Sequence, residues 1–152
     1  MSCMIGRMLQ ASTATLVRDG TAPMPTKPGM LSYVEAAMQC WGERGVEALI
    51  EFVGPEVEWH PHDADRPMRG PEVLEWVRAL QAAGVTRSIS EPTFTELCGC
   101  VLVSVAVRDF HGHGFMETRR TLLYEFAGAS LVRIRAFGSR AEAEATAAGR
   151  PA

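Results

Sequence analysis

Two histidines stand one residue apart in Trp59-His60-Pro61-His62, and two acids, Asp63 and Asp65, follow them. Histidine changes charge near neutral pH, so His60 or His62 is suited to act as a general base. Adjacent residues seldom face each other, which weakens His62 and Asp63 as an acid-base pair. All four residues also fit a solvated loop. Further on, Arg108 and Arg120 lie in apolar, strand-like segments. A buried arginine needs an anionic partner, so each is a candidate to hold a carboxylate, phenolate or enolate oxygen. At a strand end either would simply reach solvent. The tryptophans Trp41, Trp59 and Trp76 fit ordinary core packing or a wall for a flat ring ligand.

Other chemistries find little support. Neither a glycine-rich phosphate loop nor a dinucleotide fingerprint is present, so no cofactor is expected. His111 and His113 flank Gly112 without nearby acids, and no metal site is expected there. Cys98 and Cys100 would share one face of a strand, where a bridge between them would be strained. With Cys3 and Cys40 they are read as plain thiols. The net charge of -3 disfavours a nucleic-acid partner. No apolar run approaches the ~20 residues of a membrane span. Arg7 has no apolar signal core after it, and the acid-poor stretch before Asp19 only weakly resembles a transit peptide. A cytoplasmic location is the expectation.

These residues need elements to position them. The chain has 152 residues, 47% hydrophobic and 22% charged, which suits one soluble domain with its own core. Residues 1–29, rich in Ser, Thr, Gly and Pro, read as an arm or tail. A helix is expected from Ser32, with Ser32 and Glu35 spaced as a capping box. Val34, Met38 and Trp41 form its apolar face, and Gly42 and Gly45 end it. A second helix carries Val46, Leu49, Ile50 and Val53 and stops at Gly54-Pro55. A short strand, Val57 to His60, precedes a polar loop. Gly70-Pro71 opens a third helix with Val73, Trp76, Val77 and Leu80 on its buried face. Strand patterns then run from Val85 to Phe137, broken by turns at His111–Gly114 and Ala127-Gly128. A short Ala/Glu helix spans Arg140 to Ala148. The order implies an α+β fold, with helices packed on one face of a curved antiparallel sheet. One domain over residues 30–148 is expected, with 149–152 as a tail.

In this order, four segments resemble the nuclear transport factor 2-like superfamily, in its SnoaL-like polyketide cyclase and ketosteroid isomerase branches. They are Val46-Glu-Ala-Leu-Ile-Glu-Phe52, Glu56-Val-Glu-Trp-His-Pro61, Arg69-Gly-Pro-Glu-Val-Leu-Glu-Trp76, and Tyr124-Glu-Phe-Ala-Gly128 followed by Leu131-Val-Arg-Ile-Arg-Ala-Phe137. The resemblance covers about Leu31 to Ala148. It implies a cone-shaped roll on three helices, a deep pocket, and a homodimer through the outer sheet face. It also implies that Leu122, Tyr124 and Phe126, with Arg120, face the pocket. Ser104, Ala106 and Arg108 are expected on the same side, and Arg119, Arg133 and Arg135 outside. Trp41, Trp59, His62 and Trp76 would border a ligand, and Met68 would gate the mouth.

The isomerase chemistry does not carry over residue by residue. Steroid isomerases need a carboxylate base and two oxyanion donors. The base position falls on His60 or Trp59, the tyrosine position near Ala36 and the oxyanion acid on Leu122. A conventional steroid isomerase is therefore not expected. Three functions remain open. One is cofactor-free proton transfer on a small apolar carbonyl compound, with His60 as base and Arg108 or Arg120 holding the enolate. The others are a non-catalytic binder of a small apolar ligand and a dimerisation module with a filled pocket.

Overall fold

The computed structural model describes residues 29–62 and 64–149. Nearly all of the expected arm, together with Cys3 and Asp63, lies outside them. The elements are α1 (Met30–Arg44), α2 (Val46–Val53), β1 (Glu58–His60), α3 (Gly70–Ala82), β2 (Thr86–Leu97), β3 (Cys100–His111), β4 (Gly114–Ala127), β5 (Ser130–Phe137) and α4 (Arg140–Ala148). The strands form one sheet in the order β1-β5-β4-β3-β2. β2 to β5 pair antiparallel, as successive hairpins must. β1 pairs parallel to β5, so the expected wholly antiparallel sheet is in fact mixed. No hairpin joins those two strands, and the long crossover between them permits the parallel direction.

The inner sheet face packs on the first three helices. Val101, Val103, Val105 and Val107 of β3 and Leu122, Tyr124 and Phe126 of β4 meet Val34, Met38, Leu49, Ile50, Val73 and Val77. The outer face buries a smaller group, Cys100, Leu102 and Leu123, under Ala143 of α4. Most of β3 is thus covered on both sides, which explains its nearly continuous apolar sequence.

Local details of α1 depart from expectation at both ends. Helix α1 starts at Met30 after Gly29, without a side-chain cap, so Ser32 lies inside the helix and makes no capping box. It also runs through Gly42 and breaks at Gly45, whose φ of 93° suits glycine. The stretch before Leu97 is one strand with a bulge between Ser90 and Thr93, where Glu91 takes a φ of 56° ahead of Pro92. Proline has no N–H to give the ladder, so the strand bends there. The thiol reading also changes: Cys98 and Cys100 are thiols, but Cys40 is disulfide-bonded.

The start of α3 fixes the loop that precedes the site. The Arg69 backbone N–H donates to Glu72 Oε1 at 2.9 Å. That bond, with Arg66, holds the Glu72 carboxyl below its usual pKa. Gly70 lets the helix approach α2: a Cβ there would lie 3.4 Å from Ile50 Cγ2 and from Pro55 Cα.

Candidate functional site

A cavity of about 240 Å³ opens between the inner sheet face and the first three helices. Its apolar wall includes Leu49, Val73, Val77, Val107, Leu122 and Ile134, and Trp41, Trp59 and Trp76 border it. Larger ligand pockets span roughly 300–1,000 Å³, and a dry cavity of about 150 Å³ takes benzene. The space therefore suits one or two fused rings.

The register of β3 with β4 decides which polar groups enter. The two-residue turn Gly112-His113 pairs His111 with Gly114. Every following pair then joins an odd residue to an even one. Arg120 stands opposite Val105, Leu122 opposite Val103 and Tyr124 opposite Val101. Ser104 and Arg108, expected beside Arg120, therefore lie on the outer face. Ser104 Oγ is 3.5 Å from Thr121 Oγ1 and 3.5 Å from Arg140 Nη1. Arg108 Nε donates to Glu117 Oε1 at 2.6 Å, with its guanidinium over Phe115. Neither borders the cavity. Arg119, Arg133 and Arg135 are on the outer face, as expected.

The pairing of Trp59 with Ile134 and of His60 with Arg135 settles the other register. Trp59 turns into the core, 7% exposed, and its backbone exchanges two hydrogen bonds with Met68. Met68 is itself buried in that core, so it packs against the site and does not gate the mouth. His60 borders the cavity. Its ring Nε2, however, lies 3.0 Å from Glu58 Oε1, which also accepts from Arg133 Nε at 2.9 Å. Those bonds, His60 first, hold the Glu58 carboxyl below its usual pKa. Arg133 and Arg135 in turn bond the buried Glu125 carboxylate. His60 thus joins an outer-face network through Glu58 while bordering the cavity.

His62 borders the cavity beside Gly138 of the β5 end. A Cβ at Gly138 would come 3.1 Å from His62 Nε2, so the glycine makes room for the ring. Arg120 also lines the cavity. Tyr124 lines it too, but its hydroxyl donates to Met38 Sδ at 3.1 Å, and burial pushes its pKa up. It stays neutral at ordinary pH.

Several lining residues escaped the sequence reading, two arginines among them. Arg87 borders the cavity, grips Asp109 through Nε at 2.7 Å and Nη2 at 3.0 Å, and lies over the Trp76 ring. Its signal was a charge pair facing across the β2–β3 hairpin. Arg44 lines the rim from the last turn of α1, and nothing in its sequence context marked it. Among the described residues no group of three His, Cys, Asp or Glu side chains could hold a metal ion. No described helix is long and apolar enough to cross a membrane.

No protein-family model matches the chain, and no curated protein matches its sequence. Solved structures do. A nuclear transport factor 2-like protein of unknown function from Burkholderia pseudomallei superposes with a TM-score of 0.61 at 15% identity, covering 76% of this chain and 95% of that one. The fold is nuclear transport factor 2-like. A candidate SnoaL-like polyketide cyclase from Jannaschia matches with a TM-score of 0.54 at 12% identity, over 85% of this chain and 100% of that one. TerC, co-crystallised with polyporic acid, matches with a TM-score of 0.58 at 13% identity, over 76% and 95%. At these identities the likeness defines a fold and leaves the chemistry to the site.

Proposed function

We propose that the protein binds a small, flat, largely apolar ligand in the cavity between sheet and helices. The observation that carries this reading is the largely apolar cavity, about 240 Å³ bordered by three tryptophans. The structural neighbour co-crystallised with polyporic acid supports small organic ligands in this fold. Filling the space tests the reading. Val107→Phe, from the inner sheet face, should lower the affinity for a one- or two-ring compound at least tenfold in a tryptophan-fluorescence titration, without unfolding the protein. Unchanged affinity would place the ligand elsewhere.

A second reading has a specific observation in its favour: His62 and Arg120 border the same cavity. His62 would take a proton from the carbon beside a ligand carbonyl, and Arg120 would hold the enolate oxygen. No cofactor is invoked. Deuterium uptake at that carbon, lost in His62→Ala, would establish it. A homodimer through the outer sheet face also belongs to this proposal. α4 already covers part of that face, and light scattering gives the oligomeric state directly.

A further inference from the structure

The inner face of the sheet changes character along its length. Two neighbouring rows, Trp59–Ile134–Tyr124–Val101 and Ala136–Leu122–Val103, carry aromatic and aliphatic side chains. The Tyr124 hydroxyl in the first row is turned to Met38. Toward the β3–β4 turn the rows become polar. Arg120 stands opposite Val105, then Thr118 opposite Val107, then Arg87 of β2 opposite Asp109. The cavity spans both regions, since Ile134, Tyr124, Leu122, Arg120, Thr118 and Arg87 all line it. Its wall is therefore amphipathic along one direction.

The polar end is also cationic. Three arginines line the cavity, Arg44, Arg87 and Arg120, against one acid, Glu47. Arg78 stands 3.4 Å from Glu47 and offsets it. Asp109 balances Arg87 and fixes its guanidinium over Trp76. Arg120 donates to the Arg119 carbonyl oxygen at 3.1 Å, a bond that leaves its charge in place. The chain as a whole has a net charge of -3, so this lining runs against the overall balance. Low-dielectric walls focus such a local field on the cavity. Thr118 and Arg120 share one strand face about 7 Å apart, close enough for one carboxylate to accept from both.

We propose that the ligand is a planar ring acid, seated with its ring on Leu122, Tyr124 and Ile134 and its carboxylate toward Arg120 and Thr118. This rests on the cavity taking a ligand, as proposed above, and adds the ligand's charge and direction. The guanidinium fork matches a carboxylate, and charge-assisted bonds are stronger than those to neutral oxygens. A ring bearing an amine in that place would set cation against cation and be refused.

The near-isosteres 2-naphthoate and 2-naphthamide test this, since they keep ring and shape and differ in charge. The full chain is titrated with each by calorimetry at neutral pH. The acid should bind about tenfold tighter, the gain of a hydrogen bond to a charged group over one to a neutral group. Arg120→Met should bring the ratio toward unity with little change for the amide. Thr118→Val should weaken the acid about fivefold. Protons of the ring remote from the carboxylate should show NOEs to the Leu122 and Ile134 methyls and none to the Thr118 methyl. Equal affinities, or a preference for the amide, would overturn the inference and leave the cavity reading standing. A preference for the acid that survives Arg120→Met would put the carboxylate elsewhere and also overturn it. Remote-ring NOEs to Thr118 would reverse the direction and do the same. Failure of both compounds to bind would sink the cavity reading, and this inference with it. Should Arg120→Met fail to fold, Thr118→Val and the acid-to-amide ratio of the unmodified protein decide.

Discussion

Trp59 of β1 lies beside Ile134 of β5 in parallel register, and that pairing turns the indole inward and the His60 ring toward Glu58. Substitutions at these neighbours should therefore separate. His60→Ala should leave ligand affinity within about twofold, because its hydrogen bond lies in the outer-face network. Trp59→Ala should abolish binding and cost about 3–5 kcal/mol of stability, as large-to-small changes of buried aromatics do. Binding titrations and urea unfolding measure both.

The two arginines make a similar contrast. Arg108 is held by Glu117 on the outer face, whereas Arg120 lines the cavity. Arg108→Met should leave binding of a ring carboxylate such as 2-naphthoate unchanged. Arg120→Met should weaken it about tenfold, within the range for a hydrogen bond to a charged group. Calorimetric titration of both variants decides, and equal losses would remove Arg120 from the site.

Gly138 sets the place of His62. A Cβ at that position would sit 3.1 Å from His62 Nε2, so the ring must shift by a few tenths of an ångström in Gly138→Ala. The His62 imidazole resonances should move while those of His111 and His113, at the far hairpin, stay fixed. Any His62-dependent deuterium exchange should fall with them.

Acid should weaken the fold through Glu58. Its pKa is lowered by the bonds from His60 and Arg133. A carboxylate depressed in the folded state stabilises the fold above its unfolded pKa, and that stability is lost as pH falls through the folded value. Glu58→Gln should therefore lower the melting temperature at pH 7 and make less difference at about pH 3, with the gap closing below the ordinary glutamate range. A pH series of thermal melts on both proteins provides the check.

The sequence made the elements legible because helices and strands announce themselves by period and by glycine breaks. Val46 to Val53 is a helix as its apolar spacing required, and Gly70-Pro71 opens α3. The parity of the sheet was harder. His111–Gly114 was recognisable as a turn, and a loop of even length centred there sets Val105 opposite Arg120, whereas a slip of one residue moves every side chain to the other face. Ser104 and Arg108 were misplaced because their parity was taken from the family pattern and not from that pairing. The orientation of His60 depended on a parallel partner more than seventy residues away in sequence, which no local pattern records.

Whether the inner cavity takes a small apolar ligand is read out by methyl NMR during a titration with 1-indanone. Saturable shifts are expected at Leu49, Val77, Val107, Leu122 and Ile134, which line the cavity, with little change at Leu102 and Leu123 under α4. Absence of saturable shifts, or shifts as large on the outer face as on the inner, would contradict it.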